Sequence, residues 1–385
     1  MDVTGDGADL LGRAGALAGM IEEAAPRAES AGELPSDVLD ALHDAGLFRM
    51  LLPRSLGGLE LEPGAYAAVI ETIAAADAST AWCLGQGGGC CFAAAYLAPD
   101  AAQEVFGDRR AVLAWGPGPG ARAVVVPGGF RLSGTWIFAS GSHHATWLGG
   151  HAAVVDADGT RRGERTLLFP RAAAEFAAVW NVVGLRATGS DSYRVDDLFV
   201  PAAFGLLRDR PAERRLDRPL YRFTTNAIYG ASFASVAMGV ARAMLAALMD
   251  LARGKVARAE SRTLSESTAV QREVGQAEAR LRAGRLLLHD ALAQAWREAC
   301  GEAELIPLDS RIAIRLAATH AIGEATKVAD MAYHVAGGTA VFAANPFERR
   351  FRDIHAVTQQ VQARESHFEA VGRHLMGLPP DSPWL

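Results

Sequence analysis

The sequence predicts an α+β fold that is mostly α, with an N-terminal helical domain, a central antiparallel β-domain and a C-terminal antiparallel helical bundle. Three changes in residue pattern support this prediction. Residues 1–110 are rich in Ala and Leu at helical spacing, 111–215 hold short β-type runs between turn signals, and 216–385 return to long Ala-rich segments. Helical spacing and short runs bounded by Gly, Pro and Asp are the primary signals for these two kinds of element.

The first zone contains three predicted helices. In LPSDVLDALHDAGLF, apolar residues recur every three to five positions, Ser36 or the Leu-Pro before it can start a helix, and Gly46 can end it. PGAYAAVIETIAAAD predicts the second helix. STAWCLGQGGGCCFAAAYL predicts the third, with Ser79 or Thr80 as its cap.

The second zone predicts a sheet or small barrel. Its runs include RAVVV, FRLSGTWIFAS, TWLGGHAAVVD, RTLLFP and SYRVDDLFVP, separated by turns such as Pro-Gly-Gly and Ala-Asp-Gly-Thr. Six or more short strands with hairpin-like turns favour antiparallel pairing. In the third zone, three segments of about 30 residues, beginning near 226, 265 and 310, have Leu, Ala and Val at helical spacing, which predicts a bundle.

Composition excludes several classes of function. A formal net charge of -6 argues against nucleic-acid binding, which needs a basic face. The four cysteines form no metal-binding pattern, and no His, Asp or Glu group has the spacing of a metal site. The acidic N-terminus is unlike a signal peptide, and no apolar run reaches the ~20 residues of a membrane span. We therefore expect a soluble cytoplasmic protein without a metal.

Five stretches, in order, resemble the acyl-CoA dehydrogenase superfamily: LHDAGLFRMLLPRSLGGLEL, AWCLG, GTWIFASG, VGLRATGSDSYRVDDLFVP and NPFERRFRDIHAVTQQVQAR. The resemblance covers almost the whole chain. It implies a flavoprotein in which the flavin lies between the β-domain and the C-terminal bundle. It also implies a homotetramer, a dimer of dimers, in which the flavin touches a neighbouring subunit.

The superfamily has two main chemistries. Its dehydrogenases carry a carboxylate base soon after an Arg-Asp pair. Here the residues directly after Arg352-Asp353 include no Glu, and the nearest carboxylates, Asp353 and Glu365, occupy other places. A general base must reach its proton, so this counts against an FAD-dependent acyl-CoA or acyl-carrier-protein dehydrogenase. A base on another helix leaves that alternative open. A flavin-free binding or scaffold protein on the same fold is a second alternative.

The other branch comprises two-component flavin-dependent monooxygenases, and Trp136-Ile137-Phe138-Ala139-Ser140-Gly141 is similar to its Trp-x-Phe-x-Ser-Gly signature. This resemblance implies the oxygenase component, which receives FMNH2 or FADH2 from a separate flavin reductase. With O2 it would form a flavin C4a-hydroperoxide and hydroxylate a small aromatic or amine substrate.

The resemblance also implies roles for single residues. Ser140 would lie near flavin N5, and His355 would act as the acid/base group. Trp136, Phe138 and Ser140 would face the flavin together, because alternate residues of a strand share a face, and Trp136 or Phe138 would wall the ring. Arg262 would bind the flavin phosphate or pyrophosphate, or it is simply a solvated arginine. The backbone amides of Gly337 and Gly338 would approach the flavin of a partner subunit, although this pair also suits a helix C-cap. Thr188, Ser190 and one of His143 and His144 would line the substrate pocket, or Thr188 and Ser190 would merely form a turn.

Overall fold

Five helices, a sheet and five further helices follow one another along the described residues, 5–382 and 385, of the computed structural model. The N-terminal helices are α1 (Asp6–Ala31), α2 (Ser36–Asp44), α3 (Pro63–Ala76), α4 (Ala78–Cys91) and α5 (Pro99–Phe106). The C-terminal helices are α6 (Thr225–Gly254), α7 (Thr268–Ala299), α8 (Leu308–Ala336), α9 (Phe347–Val357) and α10 (Ser366–Leu375). The helix–β–helix order expected from the sequence is confirmed.

The cap of the third helix differs from the prediction. Helix α4 begins at Ala78, and Asp77 is its N-cap, because the Asp77 carboxylate accepts hydrogen bonds from the Thr80 amide and hydroxyl, both at 2.8 Å. Ser79 and Thr80 instead lie inside the first turn. A carboxylate at this position satisfies a free amide and faces the positive end of the helix dipole.

The sheet is mixed rather than antiparallel. Its strands are β1 (Leu113–Trp115), β2 (Arg122–Val126), β3 (Gly129–Trp136), β4 (Trp147–Val155), β5 (Arg161–Pro170), β6 (Glu175–Ala177), β7 (Ser192–Pro201) and β8 (Gly205–Leu206). The order is β6-β7-β3-β2-β4-β5-β8, and β1 also pairs with β4. Strand β4 runs parallel to both β1 and β2, whereas the other pairings are antiparallel. The chain from 137 to 146 crosses over before β4 begins, which a hairpin pattern does not predict.

Two hydrophobic cores lie among the described residues. One core contains residues of both the N-terminal helices and the C-terminal bundle, and the other fills the β-domain. Helices α3 and α6 approach closely, because a Cβ at Gly239 would lie 2.3 Å from Glu71 O. The predicted domain limits at 110/111 and 215/216 fall in the segments that join the helices to the sheet.

Helix α6 corrects the expectation that no apolar run is long enough to span a membrane. By length and composition, Thr225–Gly254 is the one helix among the described residues that could cross a bilayer. However, 72% of its most apolar window is buried inside the protein. This is the placement of a core helix, here packed against α3, α4 and α8.

Candidate active site

The alternating pattern predicted that Trp136, Phe138 and Ser140 share one face. The turn after β3 separates them instead. Strand β3 ends at Trp136, and Phe138 adopts a left-handed backbone with φ of 54°. Consequently Trp136 and Ser140 are buried, whereas Phe138 is 60% exposed and meets Trp180 edge to face. Period-two alternation holds only while the chain remains a strand.

Trp136 belongs to the core of the β-domain. Its ring stacks on Tyr193, and its Nε1 donates to His151 O at 3.1 Å. Its side chain is fully buried. The prediction that Trp136 walls the flavin is therefore wrong, because the ring faces the interior, and Phe138 is the residue that presents an open aromatic surface.

Ser140 begins a chain of buried hydroxyl groups. Trp82 Nε1 donates to Ser140 Oγ at 3.0 Å. The hydroxyl oxygens of Ser140 and Ser190 lie 2.7 Å apart, as do those of Ser190 and Thr188. Thr188 Oγ1 then donates to Leu185 O at 2.8 Å. The structure thus brings together three residues that the sequence singled out and adds Trp82, which the sequence reasoning missed.

This hydroxyl chain has a fixed direction. The Thr188 hydrogen goes to a carbonyl, so Ser190 must donate to Thr188, and Ser140 must donate to Ser190. Because a serine hydroxyl has one hydrogen and two acceptor lone pairs, Ser140 keeps one lone pair after accepting from Trp82. Ser140 can therefore accept a further N–H hydrogen bond but cannot donate one.

A buried carboxyl group holds the turn at the far end of the chain. Leu185 has a left-handed backbone with φ of 53°, and its amide donates to Asp353 Oδ1 at 2.7 Å. Burial, followed by the negative charge of Asp77, raises the pKa of Asp353 to about 7. Asp353 is thus committed to the 184–190 segment and does not face an open cleft.

His143 joins the N-terminal helices to the β-domain. Its Nδ1 lies 2.8 Å from Glu33 Oε2, and its Nε2 lies 2.8 Å from Asp191 Oδ2. Burial would raise the pKa of Asp191, but the hydrogen bonds from His143, Trp180 N and Val179 N outweigh it and hold that pKa below its usual value. Both ring nitrogens are occupied, so His143 does not serve as a free pocket group.

His144 lies beside the Ser140 turn. A Cβ on Gly141 would lie 3.2 Å from His144 Nε2, and the Phe48 ring lies 5.4 Å away between centroids. Burial, and then the charge of His43, lowers the pKa of His144 to about 3. Its Nε2 is buried without a partner among the described residues. His144 is therefore a neutral side chain next to the candidate site.

His355 lies on α9, and its side chain contacts α8. Its Nε2 is 3.0 Å from Asp330 Oδ1, and its ring meets Phe351 edge to face at 4.5 Å. The side chain is 41% exposed. Among the described residues, no hydrogen bond or ring contact of His355 reaches the hydroxyl chain, so its predicted catalytic role stays a prediction.

A cavity of about 630 Å³ lies at Gly337 and Gly338. It is lined by Lys255, Val256, Ala257, Arg258, Leu264, Val335, Gly337, Gly338, Thr339 and Phe342. Lys255 Nζ donates to Ala336 O and, at 2.7 Å, to Thr339 Oγ1. Gly337 ends α8 with a φ of 57°, a backbone conformation that favours glycine. It therefore serves as the C-cap of α8 and lines the cavity as well.

The cavity suits a phosphate group. Arg258 lines it and has no hydrogen-bond or ion-pair partner among the described residues, and Arg262 is exposed on the same 255–267 loop without lining it. Positive side chains beside a glycine turn form a favourable anion site. Sequence reasoning missed Lys255 and Arg258, although Lys255 is one of the chain's two lysines.

The hydroxyl chain and the Gly337 cavity are built from different segments of the chain, and no hydrogen bond or ring contact of the described residues joins them. The resemblance assigned Ser140, Gly337 and Gly338 to flavin binding, whereas Thr188 and Ser190 were assigned to the substrate pocket or to a turn. The role of Gly337 and Gly338 at a neighbour's flavin stays a prediction.

Helix α4 supplies further side chains that the sequence reasoning did not assign. Trp82 stacks on Phe233 at 4.0 Å, and one turn later Gln86 Nε2 donates to Trp115 O and Tyr229 OH. Among the described residues of α4, Gln86 is the one that is not buried. An opening therefore reaches the middle of an otherwise buried helix.

Comparisons with known proteins agree with this architecture. The model of the acyl-CoA dehydrogenase N-terminal domain matches residues 14–105, and that of the C-terminal domain matches residues 231–365. Indole-3-acetate monooxygenase of Pseudomonas putida is 31% identical over 346 residues, which are 89% of this chain and 87% of that protein. The flavin-dependent monooxygenase oxygenase subunit HsaA of Rhodococcus jostii is 29% identical, covering 89% of this chain and 92% of that one.

Solved structures extend the likeness to a flavin-bound protein. XiaF from Streptomyces, solved with FADH2 and glycerol, matches with a TM-score of 0.92 and 25% identity over 98% of each chain. The expected fold and the expected flavin cofactor are thereby confirmed. The chain belongs to the acyl-CoA dehydrogenase superfamily, in its branch of flavin-dependent monooxygenases.

Proposed function

We propose that this chain is the oxygenase component of a two-component flavin-dependent monooxygenase that hydroxylates a small aromatic substrate. The relatives support this class, since they include an indole-3-acetate monooxygenase and a resorcinol hydroxylase. The proposal includes a separate flavin reductase that supplies FMNH2 or FADH2, and O2 as the second substrate. An amine substrate is the alternative within the same class.

One observation carries the proposal: Ser140 can accept a hydrogen bond but cannot donate one. Reduced flavin bears a hydrogen on N5, whereas oxidised flavin presents a lone pair there. A group that only accepts therefore favours the reduced cofactor. This is the form in which an oxygenase component receives its flavin from a reductase.

The chain's own residues divide the remaining tasks. When bound, reduced flavin supplies two electrons and the position at which O2 is activated. Ser140 would accept a hydrogen bond from N5–H, Phe138 would contact the ring, and neutral His144 would contribute an uncharged wall. The buried surroundings of Trp82 exclude water from that side, which protects a reactive oxidant. His355, oriented by Asp330, is the proposed acid/base group.

A dehydrogenase reading is less well supported. Its carboxylate base must reach a substrate proton, but Asp353 is buried against the Leu185 amide and Glu365 is exposed at the start of α10. A flavin-free scaffold would have no use for a directed hydroxyl chain beside an exposed aromatic residue, or for a cationic cavity at a glycine turn.

The proposal extends to assembly and location. The Gly337 cavity adjoins exposed Val341 and Phe342, each 66% exposed, and large exposed apolar side chains are typical of an interface. A homotetramer in which this face meets a neighbour's flavin would cover them. A cytoplasmic location suits the four cysteines, which are all free thiols, because reducing compartments keep them so.

An isotope experiment tests the proposal. Protein is mixed anaerobically with photoreduced FMN or FAD and indole, then exposed to 18O2, and the product is analysed by mass spectrometry. Incorporation of one 18O atom is expected, with strong loss in Ser140→Ala and little change in Ser142→Ala, a buried serine outside the hydroxyl chain. Tightly held FAD that an acyl-CoA bleaches anaerobically would instead establish a dehydrogenase, and failure to bind either flavin would favour the scaffold.

A further inference from the structure

Arg208 is a half-buried arginine whose terminal nitrogens have no partner in the described part of the chain. Its Nε donates to Thr166 Oγ1 at 3.2 Å, and its guanidinium lies 4.8 Å from the centre of the Trp115 ring. No carboxylate among the described residues pairs with it. A partly desolvated cation without a counter-charge is unfavourable, so its place invites an anion.

His151 adds a second donor at the same point. Its Nδ1 lies 2.8 Å from Thr166 Oγ1, the oxygen that also accepts from Arg208. Because the Thr166 hydrogen has no other recipient among the described residues, it goes to His151 Nδ1, which leaves the hydrogen of the neutral ring on Nε2. Burial, and then the charge of Arg208, holds the pKa of His151 well below its usual value.

The Tyr96 hydroxyl is a further hydrogen-bond donor in this region, besides Arg208 and His151. Tyr96 is buried, and its hydroxyl has no partner among the described residues. Burial raises the pKa of Tyr96 to about 12, and Arg208 is one of the nearby groups that act against this rise. The hydroxyl therefore remains protonated and able to donate.

Trp115 and helix α4 link Arg208 and His151 to the Ser140 hydroxyl chain. Trp115 contacts both Arg208 and His151, and its carbonyl accepts from Gln86. Gln86 is one helical turn, a rise of about 6 Å, from Trp82, which donates to Ser140 Oγ.

We propose that Arg208, with His151, recognises the carboxylate of an aromatic acid substrate whose ring lies toward Ser140. This inference rests on the proposed function and narrows its substrate class to aryl carboxylates. Trp115 would support the guanidinium from one side, while the terminal nitrogens of Arg208 and Nε2 of His151 donate to the carboxylate. Arg208 is thus assigned as a specificity-determining residue.

A matched pair of probes tests the assignment. Binding of indole-3-acetate and of uncharged indole-3-acetamide is measured by isothermal titration calorimetry with the full chain and reduced flavin under anaerobic conditions. We expect the acetate to bind more tightly. Arg208→Gln should weaken acetate binding about tenfold or more, the size of a charge-assisted hydrogen bond, and should leave acetamide binding within about twofold. Arg208→Lys should fall between.

Arg131 provides the control. Its Nη1 donates to Asp197 O at 2.9 Å and its guanidinium lies 5.8 Å from the Phe199 ring, so it also combines a hydrogen bond with an aromatic contact, but between β3 and β7. Arg131→Gln should change neither affinity. Equal binding of both probes to the wild type, binding of neither, or equal weakening of both by Arg208→Gln would overturn the assignment.

The two proposals fail in different ways. Labelled product from neutral indole without any preference for the acetate would leave the monooxygenase proposal intact and remove the role of Arg208. Selective acetate binding without 18O in any product would support the carboxylate site and refute the oxygenase.

Discussion

Substitution of Ser190 by alanine would cut the hydroxyl chain at its centre. It removes two buried hydrogen bonds of 2.7 Å and leaves the Ser140 hydrogen without an acceptor. A typical buried hydrogen bond contributes about 1 kcal/mol net, and an unsatisfied group costs about as much again or more. We therefore expect Ser190→Ala to lower the free energy of unfolding by about 2–3 kcal/mol.

Ser142 supplies the comparison. It is also fully buried, but its hydroxyl makes a single long hydrogen bond of 3.4 Å to Gly189 O, so Ser142→Ala should cost about 1 kcal/mol or less. Urea unfolding followed by tryptophan fluorescence measures both midpoints, with an unchanged slope required for the comparison. Equal losses of unfolding free energy in Ser190→Ala and Ser142→Ala would refute the hydroxyl chain as a cooperative unit.

Ser190→Ala also tests the direction of the chain. Once Ser190 is gone, Ser140 is free to turn its hydrogen outward and can donate to the N5 lone pair of oxidised flavin. The ratio of affinities for reduced over oxidised flavin, measured by titration, should therefore fall in Ser190→Ala and stay unchanged in Ser142→Ala. An unchanged ratio in both variants would show that Ser140 does not meet N5.

Three further outcomes follow from individual contacts. Burial lowers the pKa of His43 to about 4, whereas in the unfolded chain its pKa is near 6.5. As the pH falls below about 6.5, the unfolded state binds a proton that the folded state does not, so the free energy of unfolding decreases, by about 2 kcal/mol at pH 5. His43→Phe should reduce this loss in urea titrations, whereas partly exposed His320→Phe should not. Gly184→Ala puts a Cβ 2.2 Å from a backbone oxygen of α9 and should destabilise by about 2 kcal/mol or more, while Gly323→Ala, in open space on α8, should stabilise by about 0.5–1 kcal/mol; equal midpoints would contradict both. His355→Ala should keep flavin affinity and lose 18O product, and an unchanged yield would remove it from the proposed mechanism.

Helical and β-type patterns were sufficient to predict the order of the architecture. The long segments from about 226, 265 and 310 are helices α6, α7 and α8, because their apolar spacing persists over many turns. The parallel pairing of β4 could not be predicted, since local runs and turns do not record a crossover. The shared core of the two helical regions depends on contacts between distant residues such as Gly239 and Glu71, which lie outside any local window.

Within the candidate site, residue types were easier to predict than directions. The Ser140, Thr188 and Ser190 hydroxyl groups were singled out, and they lie together. The roles of Trp136 and His143 were harder to predict. A single left-handed residue, Phe138, reverses the faces after β3, and the two carboxylates that hold His143 come from positions 33 and 191.

Packing explains the glycine run of α4. A Cβ at Gly88 would lie 2.5 Å from Tyr66 Oη, and one at Gly89 would lie 2.3 Å from the Tyr229 ring. Each interior glycine costs a helix about 1 kcal/mol relative to alanine, yet these two allow α4 to enter the core between α3 and α6. That depth brings Trp82 to Ser140 and Gln86 to Trp115. The run that lacks side chains for a substrate is therefore what places the neighbouring side chains at the site.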